Sequence, residues 1–302
     1  MNRKRIIGKL NGMFKAWLKE IRDDEVRKLV KRDAIITGGA IVSLLENEEP
    51  NDLDIYFSTF ETAVAVAGHY VDRWNAHDHK AVARLVIDEE AKRVKVYIGN
   101  YGVAKEEERV EREPIMDGLS SLLGGGSKPK DEEPYRPVYL TDNAITLSDG
   151  IQLIIRFHGD VDEIHSNFDF EHCKMSYVPH TMKLTMPASS LEAVIMKELR
   201  YTGSKYPIAS ILRTRKFINR GYFINAGQYL KMIFQTQKLD LTNPDVLADQ
   251  LNGVDLVYMA ELISAVERAK FEDETIDHDY LVNIVEEIFD RDPEKETDLE
   301  NE

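Results

Sequence analysis

The apolar positions change their period along the chain, and each change predicts an element. From 12 to 31, Met13, Phe14, Trp17, Leu18, Ile21 and Val26 fall near helical spacing, which predicts one amphipathic helix. Residues 34–37 read as a short strand, Gly38-Gly39 as the turn out of it, and 40–48 as a helix that Pro50 prevents from continuing. A strand over 52–57 follows, then a helix over 60–75 and strands over 92–98, 144–148 and 151–158. Asp160 and Glu163 have the spacing of a helix N-cap with its reciprocal Glu, so a short helix should run to about Asn167. FDFEHCKMSY, 168–177, resumes a strand. From about 189 the period is helical, over roughly 189–200, 207–220, 225–237, 244–252, 255–270 and 276–289.

The resulting fold class is α+β: a mixed β-sheet domain with flanking helices, then an all-α domain, with the change near 186–188. The domain plan is a basic N-terminal helix over 1–32, a sheet domain over 33–187, a helical domain over 188–289 and a tail over 290–302. A Gly-, Ser-, Pro- and charge-rich stretch over about 116–137 reads as a mobile insertion in the sheet domain. No internal repeat interrupts this plan.

Composition narrows the class. With 302 residues, 43% hydrophobic and 31% charged, the chain can build one large core or two modest ones. A single cysteine, Cys173, excludes an internal disulfide and a cysteine zinc site, and it is expected to be a small buried hydrophobe. The longest apolar runs fall far short of the roughly 20 residues that span a bilayer. MNRKRIIGKLNGMF has no long apolar h-region, so no membrane partner and a cytoplasmic location are expected.

The net charge of -15 would argue against an anionic partner if it were evenly spread, and it is not. Residues 271–302 hold 14 acids against Arg291 and Lys295, while 1–32 hold 11 Lys/Arg against 4 acids. A second basic island, 197–220, has 7 Lys/Arg against Glu198 alone. The acidity therefore sits largely in a C-terminal segment with little to bury at its end, and anionic partners remain open.

Asp52 and Asp54 share one face of their strand, since side chains alternate. Two neighbouring acids repel unless water or a cation screens them, and Mg2+ suits oxygen ligands with substrate phosphates completing its shell. The competing reading is a solvated strand start. Gly38-Gly39 is a plain turn, or a turn whose helix-terminal amides receive a phosphate. Arg213, Lys216 and Arg220 recur at helical spacing opposite Ile208, Ile211, Leu212 and Ile218, as either a solvated stripe or a grip on phosphates. GGGSKPK lacks the Gly-Lys-Ser/Thr of a phosphate loop and reads as linker, and His77-Asp78-His79 reads as a solvent-facing turn. His172 is expected to line the cleft near Asp169.

Thr37-Gly38-Gly39 through Asp52-Leu53-Asp54 resembles the polymerase-β-like nucleotidyltransferases, whose core is a Gly-Gly or Gly-Ser turn, a helix and a strand carrying D-x-D. In that family a third acid lies on a later strand, and Phe168-Asp169-Phe170 looks like that element, ahead of Asp142, Asp149 and Asp160. YPIASILRTRKFINRGYF, 206–223, is similar to the helix after the catalytic domain of tRNA CCA-adding enzymes and bacterial poly(A) polymerases. Leu212-Arg213, Lys216-Phe217 and Gly221-Tyr222 hold the matching places. The Arg-Arg-Asp-Phe and Glu-Asp-x-x-Arg segments of those enzymes are not found, so the resemblance does not bring CCA specificity with it. It covers residues 34 to about 223, and the arrangement also looks like nucleotidyltransferases encoded by large bacteriophages.

The resemblance implies metal-dependent transfer of an NMP from an NTP to a hydroxyl, with pyrophosphate release. Asp52, Asp54 and Asp169 would be both catalytic residues and ligands to Mg2+, or Mn2+ in its place. Thr37, Gly38, Gly39, Arg213 and Lys216 would bind the NTP, and Arg220, Lys197 and Lys205 the acceptor. An RNA 3′ end is the first choice of acceptor. The alternatives are a protein hydroxyl, as in nucleotidylating toxins, and a non-catalytic binding or virion-associated protein that kept the fold. If the chain is phage-encoded, the cytoplasm is the host's.

Overall fold

Ile21-Arg22-Asp23 split the helix expected over 12–31 in a computed structural model of the chain. α1 runs Arg3–Glu20 and α2 Asp24–Asp33, because the Asp23 carboxylate accepts the backbone N–H groups of Glu25 and Val26 and so starts a new helix. α1 buries Ile6, Leu10, Phe14 and Trp17, one stripe at helical spacing, and Trp17 Nε1 donates to Tyr70 Oη at 2.7 Å.

The structure describes residues 2–76, 82–98, 133–251, 265–266, 268–271 and 276–289. Most of the expected 116–137 insertion, GGGSKPK, His77-Asp78-His79, much of the 255–270 helix and the 290–302 tail lie outside the described residues. The chain divides into two compact units, one of Met1–Ser166 with Cys173–Leu191, the other of Asn167–His172 with Glu192–Glu302.

The first unit is built on a seven-stranded mixed sheet. Its strands are β1 Ala34–Thr37, β2 Leu53–Phe57, β5 Pro137–Leu140, β6 Ala144–Leu147, β7 Ile151–His158, β8 Ser176–Val178 and β9 Lys183–Thr185, in the order β5-β6-β7-β2-β1-β8-β9. β2 and β7 are parallel, and the other neighbours are antiparallel. α3 (Gly39–Glu46) and α4 (Phe60–Ala76) flank them. A separate hairpin, β3 Ala83–Asp88 with β4 Arg93–Ile98, packs on α4; the sequence pattern indicates only its second strand.

Register follows from the alternation. Leu140, Ile145, Leu153, Ile55, Ile36, Tyr177 and Leu184 pair in one line across all seven strands, and each is at most 4% exposed. A slip of one residue in any strand would turn its member of this row out of the core. The neighbouring row on the opposite face is polar, and it carries the candidate site.

Asp33 ties the end of α2 to the start of α4. Burial alone would raise its pKa, but hydrogen bonds from Arg32, Thr62 and Thr59 outweigh that and bring it down to about 2. A carboxyl lowered on folding stabilises above its unfolded pKa near 3.8, and the contribution is lost as pH falls through about 2. The stability cost of Asp33→Asn should therefore be largest above pH 4 and shrink toward pH 2. Urea unfolding at both pH values checks it, and an equal cost at both would sink the assignment.

In the second unit, helices Pro207–Asn219, Ala226–Thr236, Pro244–Leu251 and His278–Phe289 are described. Leu247, Leu251 and Val266 form a core joined by Ile208, Leu212, Leu241, Ile276, Leu281 and Ile284. The expected 168–177 strand does not form as one piece. Phe170 bridges Tyr201, Glu171 N–H donates to the Arg200 carbonyl, and a 3-10 turn over Glu171–Cys173 ends the pairing, so apolar alternation there serves the 199–202 segment. Among the described residues, no helix is long and apolar enough to cross a membrane.

Candidate active site

β1 ends at Thr37, and the turn after it has a backbone open only to glycine. Gly38 sits at φ 94, ψ -147 and occupies the N-cap of α3 without any side-chain cap, so the first amides of that helix lack the usual acceptor. Gly39 is the first residue of α3, and a Cβ built there meets nothing within 4 Å. The two glycines thus do different work. Gly38→Ala should cost about 1–3 kcal/mol of stability through strain. Gly39→Val, by contrast, puts its Cβ in open space. Its melting temperature should stay close to wild type while nucleotide affinity falls, and unchanged affinity in the folded variant would remove Gly39 from the site.

The ladder of β1 and β2, continued one step past Ile36 and Ile55, sets Thr37 opposite Asp54. The other pairings extend that line to Tyr139, Thr146, Gln152, Asp54, Thr37, Ser176 and Thr185 across all seven strands. Every member carries a hydroxyl, amide or carboxylate, whereas the adjacent row on the other face is aliphatic apart from the buried Tyr177. Asp54 is half-buried in the middle of the row, and Asp52, just before β2, is exposed.

Thr37 is buried and its hydroxyl has one proton to give. The Met175 carbonyl, 2.6 Å away, can only accept it, so the contact with His165 Nε2 at 2.7 Å must be an N–H donated to Thr37 Oγ. That puts a proton on His165 Nε2 and pins the last residue of β1. Gly150 supports the other strand: at φ +70 its carbonyl accepts the Leu53 N–H at 2.8 Å, and a Cβ there would lie 2.8 Å from the Asn51 carbonyl. Sequence reasoning missed Gly150, Gln152, Ser176 and His165. The Asp149-Gly150 turn dipeptide was a signal for the first; the others depend on register.

The donor chemistry of Asp52 and Asp54 fits Mg2+, which is commonly held by one or two carboxylates with substrate phosphates completing its shell. Among the described residues, no three His, Cys, Asp or Glu side chains are grouped to hold a metal by themselves.

The second unit holds the remaining expected residues. Asp169 lies in a bend, not a strand, and its carboxylate Oδ2 receives Arg213 Nη2 at 2.7 Å and Nε at 3.0 Å. Lys216 is exposed on the Pro207–Asn219 helix. That helix buries Pro207, Ala209, Ser210, Thr214 and Phe217; of the side read as apolar, Ile208 and Leu212 pack on the Leu247, Leu251 and Val266 core, whereas Ile218 is 42% exposed. Lys197 Nζ lies 4.6 Å over the Tyr222 ring and donates to the Arg220 carbonyl at 3.4 Å. Lys205 is exposed, and its carbonyl accepts Gln250 Nε2 at 3.0 Å. His172 lines no cleft: it is fully buried, its ring 4.4 Å from Phe217 and 4.8 Å from Tyr222. Cys173 is half-buried.

Solved structures similar to the chain include the Thermotoga maritima CCA-adding enzyme complexed with tRNA, at 13% identity and a TM-score of 0.38, covering 85% of this chain and 53% of that one. The Bacillus stearothermophilus CCA-adding enzyme in complex with CTP gives 15% identity and a TM-score of 0.37 over 83% of this chain and 48% of that one. A curated relative, Gabija anti-defense 2 of Bacillus phage SPbetaL7, is 22% identical over 237 residues, 77% of this chain and 44% of the relative. The chain thus spans under half the length of that relative. The model of the Gabija anti-defense 2 family matches residues 9–197, well over half of the 302, and the chain belongs to that family.

Proposed function

We propose that this chain counters the Gabija defence by nucleotidyl transfer, moving an NMP from an NTP to a hydroxyl, with an RNA 3′ end as the first acceptor. The counter-defence part is supported by family membership. The transfer part is supported by one observation above all: the glycine turn and Asp54 meet at the same end of two paired strands, on the polar face of the sheet. The acceptor oxygen attacks the α-phosphorus, the α–β phosphoanhydride breaks, pyrophosphate leaves, and the hydroxyl proton goes to a base. The α3 amides beyond Gly38 and Gly39 face the triphosphate. Asp52 and Asp54 would hold Mg2+, which would offset charge on the phosphates. Asp169 is the candidate base, Arg213 and Lys216 add positive charge for the NTP, and Arg220, Lys197 and Lys205 do so for the acceptor. The site of action is the host cytoplasm.

The test is incubation of the full chain with each α-labelled NTP and Mg2+ or Mn2+, against a panel of RNAs and the purified Gabija proteins. Label on RNA 3′ ends is expected; label on a protein would move the acceptor to a protein hydroxyl. A second, non-catalytic reading is favoured by the pairing of Asp169 with Arg213, which occupies the candidate base. If Asp52→Asn with Asp54→Asn still protects phage in a Gabija-bearing host, binding alone is the activity.

A further inference from the structure

The helix Ala226–Thr236 grips the loop 201–204 with three polar side chains at helical spacing. Gln228 Oε1 accepts the Tyr201 N–H at 3.0 Å, Lys231 Nζ donates to the Tyr201 carbonyl at 3.4 Å and to Gln228 Oε1 at 3.1 Å, and Gln235 Oε1 accepts both the Tyr201 hydroxyl and the Ser204 N–H. Tyr201, Thr202, Gly203, Lys231, Phe234 and Gln235 then line a cavity of about 590 Å3.

Its chemistry is specific. With both donors on Oε1, the Gln235 amide turns Nε2 toward the cavity side, where its contact with the Ser204 carbonyl is a long 3.5 Å. A Cβ at Gly203, which sits at φ +103, would meet only that Nε2, at 3.7 Å. Lys231 makes two contacts with three N–H groups, and the Phe234 ring is 60% exposed. A ring face, amide donors and an ammonium side by side match a planar, acceptor-rich ligand joined to an anion.

We infer that this cavity binds one nucleoside of a single-stranded nucleic acid, its base on Phe234 and edge on Gln235, its phosphate on Lys231. A strand is favoured over a peptide because the loop itself lies within the basic island 197–220, with 7 Lys/Arg against one Glu, while the 14 acids of 271–302 are remote from it in sequence. The loop also adjoins the candidate base, since Thr202 N–H donates to the Asp169 carbonyl at 2.8 Å. The inference rests on the transfer reading only for the statement that this strand's end is the acceptor.

The test is binding of the full chain to fluorescein-labelled ten-nucleotide RNA, DNA of the same sequence, and the duplex, without NTP or metal. Phe234→Ala should weaken single-strand binding about tenfold or more, and Phe234→Trp should keep it, since stacking tolerates any base. Lys231→Gln should reduce the log-log salt slope by about 0.7. RNA and DNA arms decide which strand is preferred. Unchanged affinity in a folded Phe234→Ala chain, equal binding of duplex and single strand, or loss only of self-association in sedimentation would each overturn the site. Because no metal or NTP is present, transfer can fail while this site stands, and Asp54→Asn can abolish transfer while this site falls.

Discussion

Asp54→Asn is expected to lower nucleotidyl transfer by at least about a hundredfold to a thousandfold while leaving the fold intact, a loss of the size seen when one preorganised charge contact is removed. Asparagine keeps the shape of the side chain in the polar row and removes one of two neighbouring negative charges, which relieves repulsion with Asp52 in the metal-free protein. Its melting temperature should match or slightly exceed that of wild type. The loss should appear in the single-turnover rate at saturating NTP, and extra Mn2+ should recover part of it if the lost group was a metal ligand. A folded variant with normal turnover would remove the carboxylates from the chemistry. A folded variant that loses turnover with no response to either ion would leave Asp54 acting by charge alone.

The sequence carried the candidate site's core better than its surroundings. Thr37, Gly38-Gly39 and Asp54 were legible because each rests on a local rule: β-branched residues, a glycine turn, and alternation along a strand. The strands Ala34–Thr37 and Ile151–His158 fall where the pattern put them for the same reason. The helix break at Asp23 was missed because capping competed with apolar periodicity, and the cap prevailed. Asp169 was read as a third acid on a strand, and it lies in a bend instead, since one sequence cannot say which segment an alternating stretch will pair with. The polar row was unreadable for a related reason. Thr146, Gln152 and Ser176 are unremarkable singly, and only the seven-strand register brings them into line with Asp54.

That dependence on register makes Gly150→Ala the most damaging single methyl group for the site. The new Cβ would lie 2.8 Å from the Asn51 carbonyl and 3.8 Å from the Asp52 Cα, on a residue held at φ +70. The left-handed backbone alone costs about 1–2 kcal/mol for a residue with a side chain. The clash is with main chain, which cannot swing away as a flexible side chain can. A total loss of roughly 2–4 kcal/mol of stability is expected, within the range of strained-backbone substitutions. Relaxation must move the Asn51–Asp52 segment or break the Leu53 N–H contact to the Gly150 carbonyl, so transfer should fall even in molecules that remain folded. Gly159→Ala is the matched control: at φ +126 its Cβ would strike the Glu163 side chain, which caps the Val161–His165 helix through the Asp160 N–H. It should destabilise through its positive-φ backbone and this side-chain contact, yet leave Asp52 in place. An osmolyte such as TMAO, which favours compact states, should restore the melting temperature of both variants but the activity of Gly159→Ala alone. Recovery of full activity by Gly150→Ala under those conditions would show that Asp52 needs no exact placement, and would weaken its assignment as a ligand.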